Sequence, residues 1–166
     1  MRKVLVLAAA IAAASCGGNS SDLTPAEAQS IASEISAALQ SHEAATSVQK
    51  QLMIGPISNT VTYNCVDGKL IVSGSLNINC PSGLQSCTTD ASLTIDATNK
   101  CTTSTGVTIE GLLTVRVTGT GLSFTKTVTG ELTITRPDGT VVTCNAGMTL
   151  AYGRMSGSIC GVPVSR

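Results

Sequence analysis

The sequence predicts a mainly β fold with one N-terminal helix, in which an antiparallel meander forms a strongly curved sheet or partly closed barrel packed on that helix. Three observations lead there. Apolar residues recur every three or four positions from Pro25 to about Lys50 and every second position from Ile57 onward. Tight-turn residues (Asp67-Gly68, Gly119-Thr120-Gly121, Asp138-Gly139) separate consecutive runs of the second kind. An apolar-x-Gly-x-apolar pattern around Gly74, Gly111, Gly130 and Gly157 puts a glycine on the core-facing phase of several runs, where a sheet can bend.

The helix opens on Thr24-Pro25-Ala26-Glu27, with Thr24 as N-cap, Pro25 in the first helical position and Glu27 completing a capping box. Its apolar stripe is Ala28, Ile31, Ile35, Ala38, Leu39, His42 and Ala45, from which Glu27, Glu34 and Glu43 are excluded, and Gly55-Pro56 stops it. The small side chains of that stripe let a sheet come close. They are expected to meet the glycine-bearing inner faces at Gly74, Gly111 and Gly130, so that Gly111→Leu would overpack a closed interface.

The strands alternate cleanly. Val72, Leu76 and Ile78 oppose Ser73, Ser75 and Asn77 in phase, with Ile71 the exception; Leu93 and Ile95 oppose Thr94 and Asp96. Ile109, Leu113 and Val115 oppose Glu110, Thr114 and Arg116, and Leu122, Phe124, Val128, Leu132 and Ile134 share one face of the longest run. Such strands bury one face and wet the other. Two residues break the rule: Asn59 and Lys126 both have the inward phase. An inward lysine needs a partner or an exit to water, so Lys126 marks a strand bulge or the polar mouth of a cavity, with the bulge the simpler reading.

The amino terminus reads as an address. Arg2 and Lys3 precede an apolar run from Val4 to Ala14, then Ala14-Ser15-Cys16. The run is far shorter than the ~20 residues that span a bilayer. It resembles the signal peptide of bacterial lipoproteins, although Ala13 stands where such sequences more often carry Leu. The resemblance implies a leader over 1–15, cleavage before Cys16, and acylation of its thiol. Residues 16–23 then form a lipidated tether, whose Gly17–Asp22 segment reaches roughly 20 Å at most, and 24–166 form a single helix-plus-β domain. Gly17 after the cysteine fits outer-membrane sorting in a Gram-negative cell envelope.

Setting Cys16 aside from the seven cysteines leaves an even set: Cys65, Cys80, Cys87, Cys101, Cys144 and Cys160. Their places at strand ends and turns in an exported chain suit disulfides. Cys80 with Cys87 would close the Pro81-Ser82-Gly83 turn. If Asp67-Gly68 centres the first hairpin, Cys65 lies opposite Leu70 and Leu70 near Ala97, which brings Cys101 within reach of Cys65. Cys144 is left for Cys160.

Composition excludes several functions. Without Arg2 and Lys3, eight of the ten basic residues remain against ten acidic ones, and those eight are scattered singly, so no nucleic acid is expected as partner. Tyr63, Tyr152 and Phe124 are the only aromatics, too few for a stacking platform. No zinc knuckle spacing occurs, the single histidine His42 lies on the helix stripe, and no cofactor or metal is expected. Gly153-Arg154-Met155-Ser156-Gly157 is not a nucleophile elbow, and Glu110 and Glu131 have the outward phase, so no catalytic residue is assigned. The outward threonines (Thr108, Thr114, Thr118, Thr125, Thr127, Thr129, Thr133, Thr135) resemble the arrays of ice-binding sheets, but β-propensity on a wet face accounts for them.

These readings converge on a non-enzymatic envelope lipoprotein, held to the membrane by its N-terminal lipid, that acts as a protein-interaction or structural module, with another envelope protein as partner. Two alternatives stand beside it. One is a carrier of an apolar ligand, since helix plus curved sheet looks like the open-barrel lipoprotein carriers. The other is a hydrolase inhibitor with a projecting loop at Pro81 to Ser86 or Thr102 to Gly106.

Overall fold

The computed structural model describes residues 23–50, 57–79, 88–120 and 123–166. The leader, Cys16, the tether up to Asp22, Gly55-Pro56, Leu122, the Cys80–Cys87 pair and the Pro81–Ser86 loop lie outside those residues. Among the described residues the chain is one helix followed by nine antiparallel strands in a single sheet.

Helix α1 (Pro25–Lys50) begins with the capping box. The Thr24 N–H donates to Glu27 Oε2 at 2.8 Å and the Glu27 N–H to Thr24 Oγ1 at 3.2 Å, satisfying donors that a helix start leaves open. Ala28, Ile31, Ile35, Ala38, Leu39 and His42 are buried as the stripe requires, and so are Ala32 and Ser36. The buried face is wider than the stripe because the sheet curves around the helix, covering flanks that a flat sheet would leave wet.

The strands are β1 (Ile57–Asn64), β2 (Asp67–Asn79), β3 (Thr88–Asp96), β4 (Cys101–Thr102), β5 (Thr108–Thr120), β6 (Ser123–Thr135), β7 (Val141–Ala151), β8 (Arg154–Ile159) and β9 (Val162–Ser165). Their spatial order is β1-β2-β3-β5-β6-β7-β8-β9, with β4 beside β2 and β5. β3 and β4 are one strand interrupted. Ala97 to Lys100 stand opposite only Lys69-Leu70 of β2 and Glu110-Gly111 of β5, so the register slips by two residues on both sides.

Alternation fills the concave side. Leu70, Val72, Ile95, Ile109, Leu113, Leu132, Ile134, Met148 and Ile159 are each at most 2% exposed and form one core with Ile31, Ile35 and Leu39 of the helix. Burying each such side chain contributes about 1.5–3 kcal/mol before entropy is counted.

The helix packs against β2, which carries Gly74, but does not rest on β5 and β6, which carry Gly111 and Gly130, as the small-sided stripe implied. Its backbone comes closest to β1 and β9, then to β2 and β8, which are the two ends of the sheet. The glycines serve the sheet itself: Gly111 faces Leu132 and Gly130 faces Leu113 across the β5–β6 ladder, so each glycine lies beneath a leucine of the neighbouring strand. Large core side chains from β5 and β6 then fill the space between sheet and helix.

The first hairpin also differs from expectation. Tyr63, not Cys65, lies opposite Leu70, and the Cys65 N–H donates to the Gly68 carbonyl at 3.2 Å, so the turn residues are Val66-Asp67. Gly68 pairs with Cys101 on its other side. Cys65 and Cys101 are bonded, with Cα atoms 5.5 Å apart, and Cys144 is bonded to Cys160 across 5.1 Å. The Thr102–Gly106 segment is a tight hairpin end, not a projecting loop. The Thr103 N–H donates to the Val107 carbonyl at 2.8 Å, and Ser104 Oγ lies 3.4 Å from Ser30 Oγ of the helix.

Candidate functional site

Inward phase and continuous register fix the position of Lys126. It pairs with Val117 on β5 and Leu150 on β7 in ladders that run without interruption, which rules out the bulge. The residue is 9% exposed, and its ammonium meets the Glu43 carboxylate from the helix. Glu43 keeps about half of its side chain in water (52%), so the pair is buried on one side only.

Around Lys126 the helix, the start of β6 and the β7–β8 hairpin enclose a pocket of about 480 Å³. Ser36, Gln40 and Glu43 line it from the helix; Phe124, Leu150 and Met155 give it apolar walls; Arg154 and Arg166 stand with Lys126 as its cations. Tyr152 and Gly153 form the two-residue turn on its rim, between the paired Ala151 and Arg154. Tyr152 is held at a φ of 52° and is 83% exposed, an uncommon backbone state for a bulky residue. The volume falls in the range of about 300–1,000 Å³ typical of small-molecule sites.

His42 belongs to the scaffold of this end. It is 4% exposed, and burial holds its imidazole below the ordinary histidine value, opposed by a hydrogen bond to the Asn59 backbone and by Glu43, and aided by Lys126. Asn59 lies on β1, an edge of the sheet, and its own side chain accepts from the Thr60 N–H at 2.8 Å. At the opposite end the Arg136 guanidinium meets Glu27 Oε2 at 3.0 Å, and the Tyr63 hydroxyl donates to Glu34 Oε2 at 2.8 Å. All three acids left off the apolar stripe are thus helix-to-sheet links.

The remaining candidates stay apart. Glu110 lies opposite Thr133 and Glu131 opposite Leu112; both are exposed and they do not pair. Among the described residues no three of His, Cys, Asp and Glu come together as a metal site. On the outer face, register lines Thr60, Ser73, Thr94, Thr114 and Thr129 into one row of hydroxyls across five strands. Sequence reasoning reached Lys126 through its wrong phase, but missed Glu43, Arg154 and Arg166. Glu43 stands one residue beyond the stripe, and nothing local links it to β6. The chain matches no protein-family model, no curated protein and no solved structure.

Proposed function

We propose that the chain is a non-enzymatic lipoprotein of the cell envelope, anchored through Cys16 and working through its surface as a protein-interaction or structural module. The observation that carries this reading is the filled core. Ile31, Ile35 and Leu39 of α1 are at most 1% exposed and pack with sheet residues equally covered, so the central space between helix and sheet is occupied by side chains, and the Lys126 pocket lies at one end of it. A carrier of the open-barrel kind needs that space for its cargo. An inhibitor of the projecting-loop kind gains no support from Thr102–Gly106, which is hydrogen-bonded into a hairpin and touches the helix.

What remains for recognition is the exterior: the hydroxyl-bearing outer face and the sheet end with the Lys126 pocket. The lipid on Cys16 would hold that exterior close to the membrane, where another envelope protein is the partner. Two measurements test the reading. Cys16→Ala should leave unprocessed precursor and move the protein out of the detergent phase; unchanged processing and partitioning would refute the anchor. Native mass spectrometry of the chain purified from its own membrane should show the covalent lipid alone, and a stoichiometric second lipid released from the domain would restore the carrier.

A further inference from the structure

We propose that the pocket around Lys126 binds a small organic carboxylate with a compact apolar body, such as an aryl carboxylate. The carboxylate would be held by Lys126, Arg154 and Arg166, and the body would pack on Phe124, Leu150 and Met155. The inference does not depend on the partner proposed above.

Three observations carry it. First, the side-chain charge of the pocket is uneven: among the described residues its lining carries Lys126, Arg154 and Arg166 against Glu43. Second, Lys126 is nine-tenths buried on the inner phase of a central strand, yet its carboxylate partner is half in water. An ammonium has three donors and Glu43 is one acceptor group, so desolvation is offset only in part and a second anion would be stabilised there. Third, apolar walls stand next to that charge, and the rim holds Tyr152 exposed in a left-handed backbone state. Phosphate alone would leave those walls wet, and a neutral apolar body would leave the cations unmatched. A two-chain phospholipid is too large for about 480 Å³.

The test uses the full-length chain and 4-trifluoromethylbenzoate, followed by fluorine NMR and by melting temperature. Saturable binding is expected, with a rise in melting temperature as ligand is added. The matching neutral alcohol should bind at least tenfold more weakly, and inorganic phosphate at equal concentration should not displace the probe. Lys126→Met keeps the apolar stem of the side chain and should weaken binding at least tenfold. Arg154→Ala with Arg166→Ala alters only exposed residues and should weaken binding severalfold at unchanged melting temperature, which keeps the proposal testable if Lys126→Met fails to fold. The proposal is overturned by absence of saturation, by equal binding of the alcohol, by displacement with phosphate, or by unchanged affinity in either folded variant.

Discussion

Gly111→Ala is the sharpest probe of how this sheet is built. A Cβ at position 111 would lie 2.5 Å from the Glu131 carbonyl oxygen, 3.3 Å from Leu132 Cα and 3.4 Å from Leu132 Cδ2. The first of these is a backbone atom of the neighbouring strand and cannot swing away as a side-chain end would. The residue also sits at a φ of 144°, where an L-residue is strained by about 1–3 kcal/mol. Overpacking of the β5–β6 ladder adds about 1–3 kcal/mol. Together they predict a loss of about 2–6 kcal/mol, a fall in melting temperature of at least roughly 5 °C for a domain of this size.

Gly147→Ala supplies the control within the same sheet. Its Cβ would meet nothing within 4 Å and its φ is not in the strained range, so removing unfolded-state freedom should leave it neutral or stabilise it by about 0.4–1 kcal/mol. Urea and thermal unfolding of both variants should move in opposite directions, or one should not move. Equal shifts would refute the reasoning, because they would mean that glycine acts here through chain entropy and not through the approach of β6.

Three further outcomes are expected. Burial depresses the His42 pKa, so its contribution to stability is present above the ordinary value of 6.5 and is lost as pH falls below it; urea midpoints at about pH 7.5 and about pH 5.5 should diverge in the parent, and His42→Gln should remove that part of the divergence. In the loop-entropy account, opening Cys65–Cys101, which spans 36 residues, should cost about 4 kcal/mol, against about 3 for Cys144–Cys160, which spans 16, measured with paired serine variants. Burial raises the Glu27 pKa, but hydrogen bonds from Thr24 and the Arg136 guanidinium outweigh it and hold the carboxyl below its ordinary 4.5. Stability should therefore fall as pH drops through the carboxylate range, and Glu27→Gln should flatten that fall and cost more at neutral pH than Glu43→Gln.

The parts of this fold that were legible in sequence are those decided locally. Thr24 and Glu27 specify the helix start within one turn, and strict alternation specifies which face of each strand is buried. The first hairpin was misread because Gly68 was taken for a turn glycine. It sits just past the turn at a φ of 78°, which favours glycine, and a Cβ there would also collide with the Lys100 carbonyl, on the segment by which the interrupted β3–β4 strand passes over it. The same interruption slips Cys101 two residues along β2. This slip and the corrected turn each bring one cysteine two residues closer to Gly68, so that both flank it, and the expected pairing with Cys65 was reached through a wrong register. Lys126 was legible as an anomaly, since its phase conflicts with its charge. Its partner was not, because Glu43 lies on the other side of the interior and no periodicity connects a helix face to a strand so distant in sequence.

That helix also covers the two ends of an open sheet. β1 and β9 end the strand order and do not pair with each other, so each has a backbone edge that could recruit another chain. α1 lies against both. Gln29 Oε1 accepts from the Ser165 N–H on β9 at 3.3 Å, His42 hydrogen-bonds the backbone of Asn59 on β1, and Pro163 removes one donor from the β9 edge. Opposite these edge contacts, Glu27 reaches Arg136 just past β6 and Glu43 reaches Lys126 near its start, so the helix is fixed along the length of one strand while its flanks close the gap between two others. A helix with this task needs polar residues at positions where a surface helix would have only solvent. This gives His42 a structural reason to lie within an apolar stripe, and it makes the acids beside that stripe links to the sheet and not idle surface charge.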